Sequence, residues 1–520
     1  MILKRLYKII FVLVLFLNMP AAMHAQENAV EDSTDFEVKG FHIDLRIQVM
    51  TPEALKDFAK QLSDFGLNTL VMEWEGTYPF EKHPAISNKY SYSREEVDEF
   101  ITYCESLGIK VIPLQQSLGH VEYILRNSRY SLLKEDRKDI SQLCPMESEA
   151  SKELFTDLFT DLAKTHNSDY IHIGGDETYL LGHCSKCQKK VEESSKSKLF
   201  VDHMKMITEL VIDLGKKPVM WADIILKHPE AASELPKETI FVDWNYGWKI
   251  NHFGDVPGLQ EKGFTFWGSP AIRSHPDNWY VTNWPTHFKN QEEFIPYARK
   301  AGYEGLVMTS WSTSGVYGFT WDVDYDVMGM VQIRNTYPMS GFRILIASYA
   351  EALKQKKPID AKSFVMRYGK NRFGLNKEQR ETLWKFFSAK PELIKNGKPV
   401  WSEDIDEMYS NYEGIRKAIK EIEPKDNVSE FEHYELMVDL RMHYLKFKGV
   451  EAEYNHKYFS IEQTPELLKK LDEILAEAES LNKRFIDLNS GFLYETELHE
   501  QNELRVQQVK VLYNRLAKVK

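Results

Sequence analysis

From residue 38 onward, short runs of β-branched and aromatic residues alternate with longer stretches whose apolar positions recur at helical spacing. Eight runs read as strands: Gly40 to Arg46, Asn68 to Glu73, Lys110 to Gln115, Tyr170 to Gly174, Pro218 to Ala222, Ile240 to Trp244, Phe264 to Gly268 and Gly305 to Trp311. In the first gap, Thr51 and Pro52 precede Leu55, Phe58, Ala59, Leu62 and Phe65, and Gly66 ends the pattern. This spells a capped amphipathic helix with proline in its first turn. Ser93 and Glu96 make a capping-box pair ahead of Val97, Phe100, Ile101, Cys104 and Leu107, with Gly108 as the stop. Strand and helix in strict alternation is the rhythm of βα units on a parallel sheet. Eight units over about 300 residues fit a (β/α)8 TIM barrel, placed at residues 38–355; a doubly wound open sheet is the structural alternative.

After about residue 355 the strand-like runs vanish and long amphipathic helices take over. Thr464 and Pro465 open one that carries Leu467, Leu468, Leu471, Ile474, Leu475, Ala478, Leu481 and Phe485 on a single face. Residues 356–520 therefore read as an all-α C-terminal domain. It could complete a pocket, support the barrel or mediate a homodimer, and the sequence leaves these open. Nine of the eleven tryptophans precede residue 355, which puts any chemistry that uses aromatic walls in the barrel.

Composition narrows the class. Apolar residues at 43% and charged residues at 28% describe a globular chain and exclude a disordered or multi-span membrane protein. The net charge of −12 without a basic tract argues against nucleic acid or an anionic membrane as partner. Lys4, Arg5 and Lys8, the apolar run Ile9 to Met19 and the segment closing on Ala25 read as a signal peptide, too short in its apolar part for a membrane span. No cysteine follows that run to take a lipid anchor. A short segment, 26–37, leads to the barrel. The expectation is an exported protein, periplasmic or secreted, with no membrane insertion after cleavage.

In such a barrel the informative residues stand where each strand stops. Strand two ends in Glu73, Trp74 and Glu75; strand three leads to Gln115, Gln116 and Gly119-His120; strand four ends in Gly174, Gly175, Asp176 and Glu177. Strands five to eight end at Trp221-Ala222-Asp223, Asp243-Trp244-Asn245-Tyr246, Trp267 and Trp311. Carboxylates and indoles on one rim suit a sugar, whose C–H face stacks on indole while its hydroxyls need polar partners at the edge. The Asp176-Glu177 pair follows a buried-strand signature and two turn-permissive glycines. Two carboxylates brought together disfavour double ionisation, so one is expected to hold a proton and serve as general acid.

His172-Ile173-Gly174-Gly175-Asp176-Glu177 resembles the signature of glycoside hydrolase family 20, the β-N-acetylhexosaminidases. Leu143-Cys144-Pro145 and Val219-Met220-Trp221-Ala222-Asp223 resemble further motifs of that family. Met72-Glu73-Trp74-Glu75, Tyr90-Ser91-Tyr92-Ser93 and Leu118-Gly119-His120-Val121-Glu122 resemble its hexosaminidase D branch. The resemblance spans roughly residues 38–320 and implies an exo-acting retaining hydrolase whose nucleophile is the substrate's own 2-acetamido oxygen. By the same resemblance, Glu177 is the general acid and base and Asp176 steers the acetamido group. Trp221, Trp244 and Trp311 wall its pocket, His120 supports the acid, and Tyr246 offers a hydroxyl to the acetamido oxygen. The family's strand-one arginine has only Lys39 near its place, with Arg46 out of step, so Glu73 or Glu75 is expected to share in sugar recognition. A glycan is the implied partner.

Two other readings stand beside this one: a retaining barrel glycosidase with Glu73 or Glu75 as protein nucleophile, and a glycan-binding barrel without turnover. No cofactor is called for. Cys184 and Cys187 form a lone Cys-x-x-Cys, expected as a disulfide or two free thiols rather than a metal site, and Cys104 and Cys144 are expected to pack as small apolar groups.

Overall fold

The computed structural model describes residues 36–274, 282–312, 336–389 and 404–518, with short stretches of backbone between them. The leader expected at residues 1–25 lies outside the described residues, as do Trp279, Trp321 and Trp401.

Eight strands form the barrel: β1 Val38–Asp44, β2 Thr69–Glu73, β3 Lys110–Leu114, β4 Tyr170–His172, β5 Lys217–Trp221, β6 Ile240–Trp244, β7 Thr265–Ser269 and β8 Gly305–Ser310. Each pairs in parallel with the next. The ring closes where β8 pairs with β1, from Val38 opposite Gly305 to Phe41 opposite Met308. That closure removes the open-sheet alternative. Inside, Val38, Val71, Ile112, Val219, Val242 and Val307 pack with Trp221, Trp244 and Trp267. A barrel filled in this way is a core rather than a pore, so a ligand has only the rim to bind.

The helix signals act as their chemistry requires. In α1 (Pro52–Phe65) the Thr51 side chain accepts the Ala54 N–H at 3.2 Å, and Gly66 ends the helix at φ 87°. In α2 (Arg94–Ser106) Ser93 and Glu96 make both capping-box bonds, at 3.1 and 2.7 Å. Trp74, expected on the rim, lies instead outside the barrel against Tyr78, Tyr92 and Phe100, and its indole N–H donates to His166 Nε2 at 3.0 Å. Strand alternation turns it away from the Glu73 side of the sheet.

Beyond the barrel lie helices Ala361–Phe373, Lys377–Ser388, Ile405–Lys420, Val428–Tyr454, Thr464–Asn489 and Glu495–Leu516. The helix from Thr464 buries Leu467, Leu471, Ile474, Ala478, Leu481 and Phe485, as its spacing predicts. The bundle leans on loops that leave the C-terminal ends of the strands. Thr51, after β1, donates its N–H to Phe492 O at 3.1 Å, and Tyr90, after β2, stacks on Tyr494 at 5.3 Å. The Tyr337 hydroxyl meets His433 Nδ1 at 2.7 Å. Among the described residues, no helix is long and apolar enough to cross a membrane.

The chain leaves β4 through Gly174, at φ 69°, where a Cβ would collide with the Gln116 side-chain oxygen. Only glycine fits both the angle and the space. Gly174→Ala should lower stability by about 1–3 kcal/mol, read as a shifted denaturant midpoint in circular dichroism; an unmoved midpoint would refute this account of the turn.

Candidate active site

The site is built where two loops touch. After Gly174 the chain passes through Gly175, at φ 94°, into Asp176 and Glu177, and Glu177 itself adopts φ 46°. The loop after β3 comes so close that a Cβ on Gly119 would stand 2.5 Å from the Asp176 carbonyl oxygen. That approach sets His120, at φ 54°, against both acids: its Nε2 lies 3.4 Å from Asp176 Oδ2 and 3.2 Å from Glu177 Oε2. Left-handed backbone in residues other than glycine costs energy and is held only where the surroundings insist on it.

The electrostatics follow. Burial works against a charged His120, but the Asp176 charge and hydrogen bonds to both carboxylates outweigh it and raise its pKa well above the usual histidine value. Burial pushes the Glu177 carboxyl up, yet the bond to His120 and its charge pull it below the ordinary glutamate value. A positive charge on His120 between the two carboxylates is what favours the ionised form of Glu177.

Asp223, which the sequence placed at the end of strand five without a role, completes the arrangement. Its Oδ2 accepts the Glu177 backbone N–H at 3.3 Å and its Oδ1 the Trp244 indole N–H at 3.4 Å. Burial, and then the charge of Asp176, push its pKa up to about 7. It pins the strained backbone of Glu177 from below.

The expected aromatic wall is contiguous. Trp221 and Trp311 lie 6.0 Å apart, the Trp311 indole N–H donates to the Tyr246 hydroxyl at 2.9 Å, and Tyr246 packs on Trp244 at 5.1 Å. Asp176 Oδ1 and Trp221 Nε1 are buried and make no hydrogen bond among the described residues. Polar atoms left in that state beside a rim are what a ligand with matching donors and acceptors satisfies.

The two glutamates after β2 part company. Glu73 spends both oxygens on protein: Oε2 meets His42 Nε2 at 2.9 Å and Oε1 accepts from Gln116 at 3.0 Å. Glu75, at φ 50°, is 3.8 Å from the Arg46 Nε, and neither of its oxygens is hydrogen-bonded among the described residues. Burial drives its pKa well above the ordinary glutamate value despite Arg46. Arg46, out of step by spacing, is buried here: Asp44 Oδ1 accepts its Nε–H at 3.1 Å, and its guanidinium lies 5.1 Å from the Trp311 ring centre. The bend after β1 brings it back to the site. Elsewhere, Cys144 does not merely fill space as expected: its Sγ lies 3.5 Å from those of both Cys184 and Cys187.

Comparison with known proteins finds the following relatives. The model of "Glycosyl hydrolase family 20, catalytic domain" matches residues 36–298. Hexosaminidase D of Homo sapiens is 27% identical over 296 residues, which are 54% of this chain and 61% of that protein, under two thirds of its length. The Bos taurus Hexosaminidase D is 26% identical over 52% of this chain and 83% of its own. Among solved structures, the β-N-acetylhexosaminidase from Bacteroides fragilis is 19% identical at a TM-score of 0.49, covering 68% of this chain and 71% of that one. A closed barrel, an acid pair at the end of its fourth strand and a family model over half the length together assign the chain: it belongs to glycosyl hydrolase family 20.

Proposed function

We propose that the protein is an exported, exo-acting, retaining β-N-acetylhexosaminidase that removes terminal β-linked N-acetylglucosamine or N-acetylgalactosamine by substrate-assisted catalysis. The observation that carries this reading is the Asp176-Glu177 pair, clamped by His120 beside a tryptophan wall, with Asp176 Oδ1 left without a protein partner. A protein nucleophile would have to be an ionised, unencumbered carboxylate. Glu73 is bound by His42 and Gln116, and burial raises the Glu75 pKa well above the ordinary glutamate value, which disfavours the ionised form a nucleophile needs.

In this reading Asp176 accepts the acetamido N–H and holds the group under the anomeric carbon. Tyr246, whose oxygen already accepts from Trp311, donates its own proton to the acetamido carbonyl. As the carbonyl oxygen bonds to C1, Glu177 delivers the proton shared with His120 to the departing glycosidic oxygen. Asp176 balances the positive charge of the oxazolinium ion so formed. Glu177, now a carboxylate, takes a proton from water as the water oxygen opens the ring at C1, giving retention. Arg46 and Glu75 receive the sugar hydroxyls.

The direct test is a panel of aryl β-glycosides differing at C2 and C4. The 2-acetamido sugars should be hydrolysed and the 2-hydroxyl sugars hardly at all; equal rates on both would sink the mechanism, and no hydrolysis of any would leave only a glycan-binding barrel. Glu177→Gln should lose at least about 10²-fold in kcat/KM, less with good leaving groups, whereas Asp176→Asn should lose activity with good and poor leaving groups alike. An Asp176→Asn enzyme of near wild-type rate would remove that residue from the chemistry.

The pH profile reads the proton's home. The His120–Glu177 pair keeps its one proton until pH rises past the raised value of His120, so the alkaline limb of kcat/KM should lie above about 6.5, the ordinary histidine pKa. In His120→Asn, Glu177 must hold the proton alone, and the limb should move at least about one unit to lower pH, into the carboxylic range. A limb that stays in place would show that His120 does not share the proton.

A further inference from the structure

Away from the catalytic pair, four potential ligand atoms converge from two loops. Glu135 and Cys144 lie on the two arms of a small ladder in the segment between β3 and the helix Ser148–Thr165. There Lys134 bridges Leu143, the Glu135 N–H donates to Gln142 O at 3.1 Å and the Cys144 N–H to Leu133 O at 2.8 Å. Cys184 caps the helix Ser185–Glu193 and Cys187 sits in its first turn, with the Cys187 N–H aimed at Cys184 Sγ at 3.4 Å. The Sγ of Cys144 is 3.5 Å from each of the other two sulfurs, and Cys187 Sγ is 3.2 Å from Glu135 Oε2. All four ligand atoms lie within 4.8 Å of one another.

These distances suit a metal better than a cross-link. A disulfide needs sulfurs about 2.05 Å apart, and the thiols are free. With three sulfurs, any one disulfide would also leave a thiol stranded. Zinc–sulfur bonds of about 2.3 Å set tetrahedral S···S edges near 3.8 Å, and a zinc–oxygen bond of about 2.0 Å sets an S···O edge near 3.5 Å. The observed separations are close to those edges. Glu135 is 3% exposed, and no lysine or arginine pairs with it among the described residues. A buried carboxylate beside three sulfurs calls for a cation.

We propose that Cys144, Cys184, Cys187 and Glu135 bind one zinc ion, a site separate from the catalytic acids and independent of the glycosidase reading. Soft thiolates with one carboxylate select zinc over magnesium or calcium, and four protein ligands make the site structural. The ion staples the segment that follows Glu177 to the ladder that supports His120. Leu180 already donates its N–H to Gln142 Oε1 at 2.9 Å across this seam, and from the ladder's base Leu143 donates its N–H to Leu118 O at 2.9 Å. Both catalytic loops are thereby tied to one point.

The test is metal analysis of the full-length protein, purified without chelator or reductant, with parallel thiol counting under denaturing conditions. About one zinc per chain should survive gel filtration, four thiols should be titratable once the metal is released, and chelation should lower the melting temperature. Cobalt exchanged for zinc should give thiolate-to-metal charge-transfer bands. Cys144→Ser should lose those bands, while Cys104→Ser, which alters a buried thiol outside the cluster, should keep them. Should Cys144→Ser fail to fold, wild-type metal content and the Cys104→Ser control still decide the matter. Zinc well below one per chain, or a disulfide joining any two of Cys144, Cys184 and Cys187, would overturn the proposal.

Discussion

Two carboxylates on consecutive residues repel each other unless a positive charge is held between them, and an imidazolium can serve both only if the backbone delivers all three groups to one point. His120 and Glu177 meet that demand with left-handed backbone at φ 54° and 46°, each costing of the order of 1–3 kcal/mol. The cost is met by what surrounds them. Gly119 lets the two loops come into contact, Asp223 grips the Glu177 N–H, and the turn through Gly174 and Gly175 frees the chain from the strand ladder. The barrel core and the bundle behind it serve chiefly to keep this small assembly from relaxing.

That division of labour explains the distribution of polar burial. Around the site, Glu73 with His42 and Gln116, and Asp44 with Arg46, are paired with protein partners. At the rim, Asp176 Oδ1 and Trp221 Nε1 are left to be answered by something else. A site preorganised in this manner need not reorient dipoles as charge develops on a substrate, which is where electrostatic stabilisation gains most. The helical bundle contributes by bracing loops after β1 and β2, so its contact with the chemistry is indirect.

Much of this was legible in the sequence, for a reason that can be named at particular residues. Buried parallel strands need β-branched runs, and Ile240–Trp244 was readable to the residue because nothing interrupts it. The apolar run predicts a fourth strand to Gly174, but it ends at His172, since two glycines at positive φ leave the ladder early. Asp176 and Glu177 meet at His120, and Trp221, Trp311, Tyr246 and Trp244 form one contiguous wall. What escaped depends on direction and on contacts distant in sequence. Trp74 points outward because of strand parity, Arg46 returns to the site through a bend that spacing does not encode, and Glu73 is claimed by His42 and Gln116. The contact of His120 with both acids comes from another loop, which spacing along the chain does not encode. Cys144 joins Cys184 and Cys187 from a segment whose proximity only the fold creates.

The most direct measurement is a crystal structure of the protein with a thiazoline mimic of the cyclised acetamido sugar. The account predicts the ring nitrogen of the mimic within hydrogen-bonding distance of Asp176 Oδ1, the ring against Trp221 and Trp311, and Glu177 still joined to His120. A mimic bound elsewhere, or one lying with Glu75 beneath its anomeric carbon while Asp176 touches only protein, would contradict it.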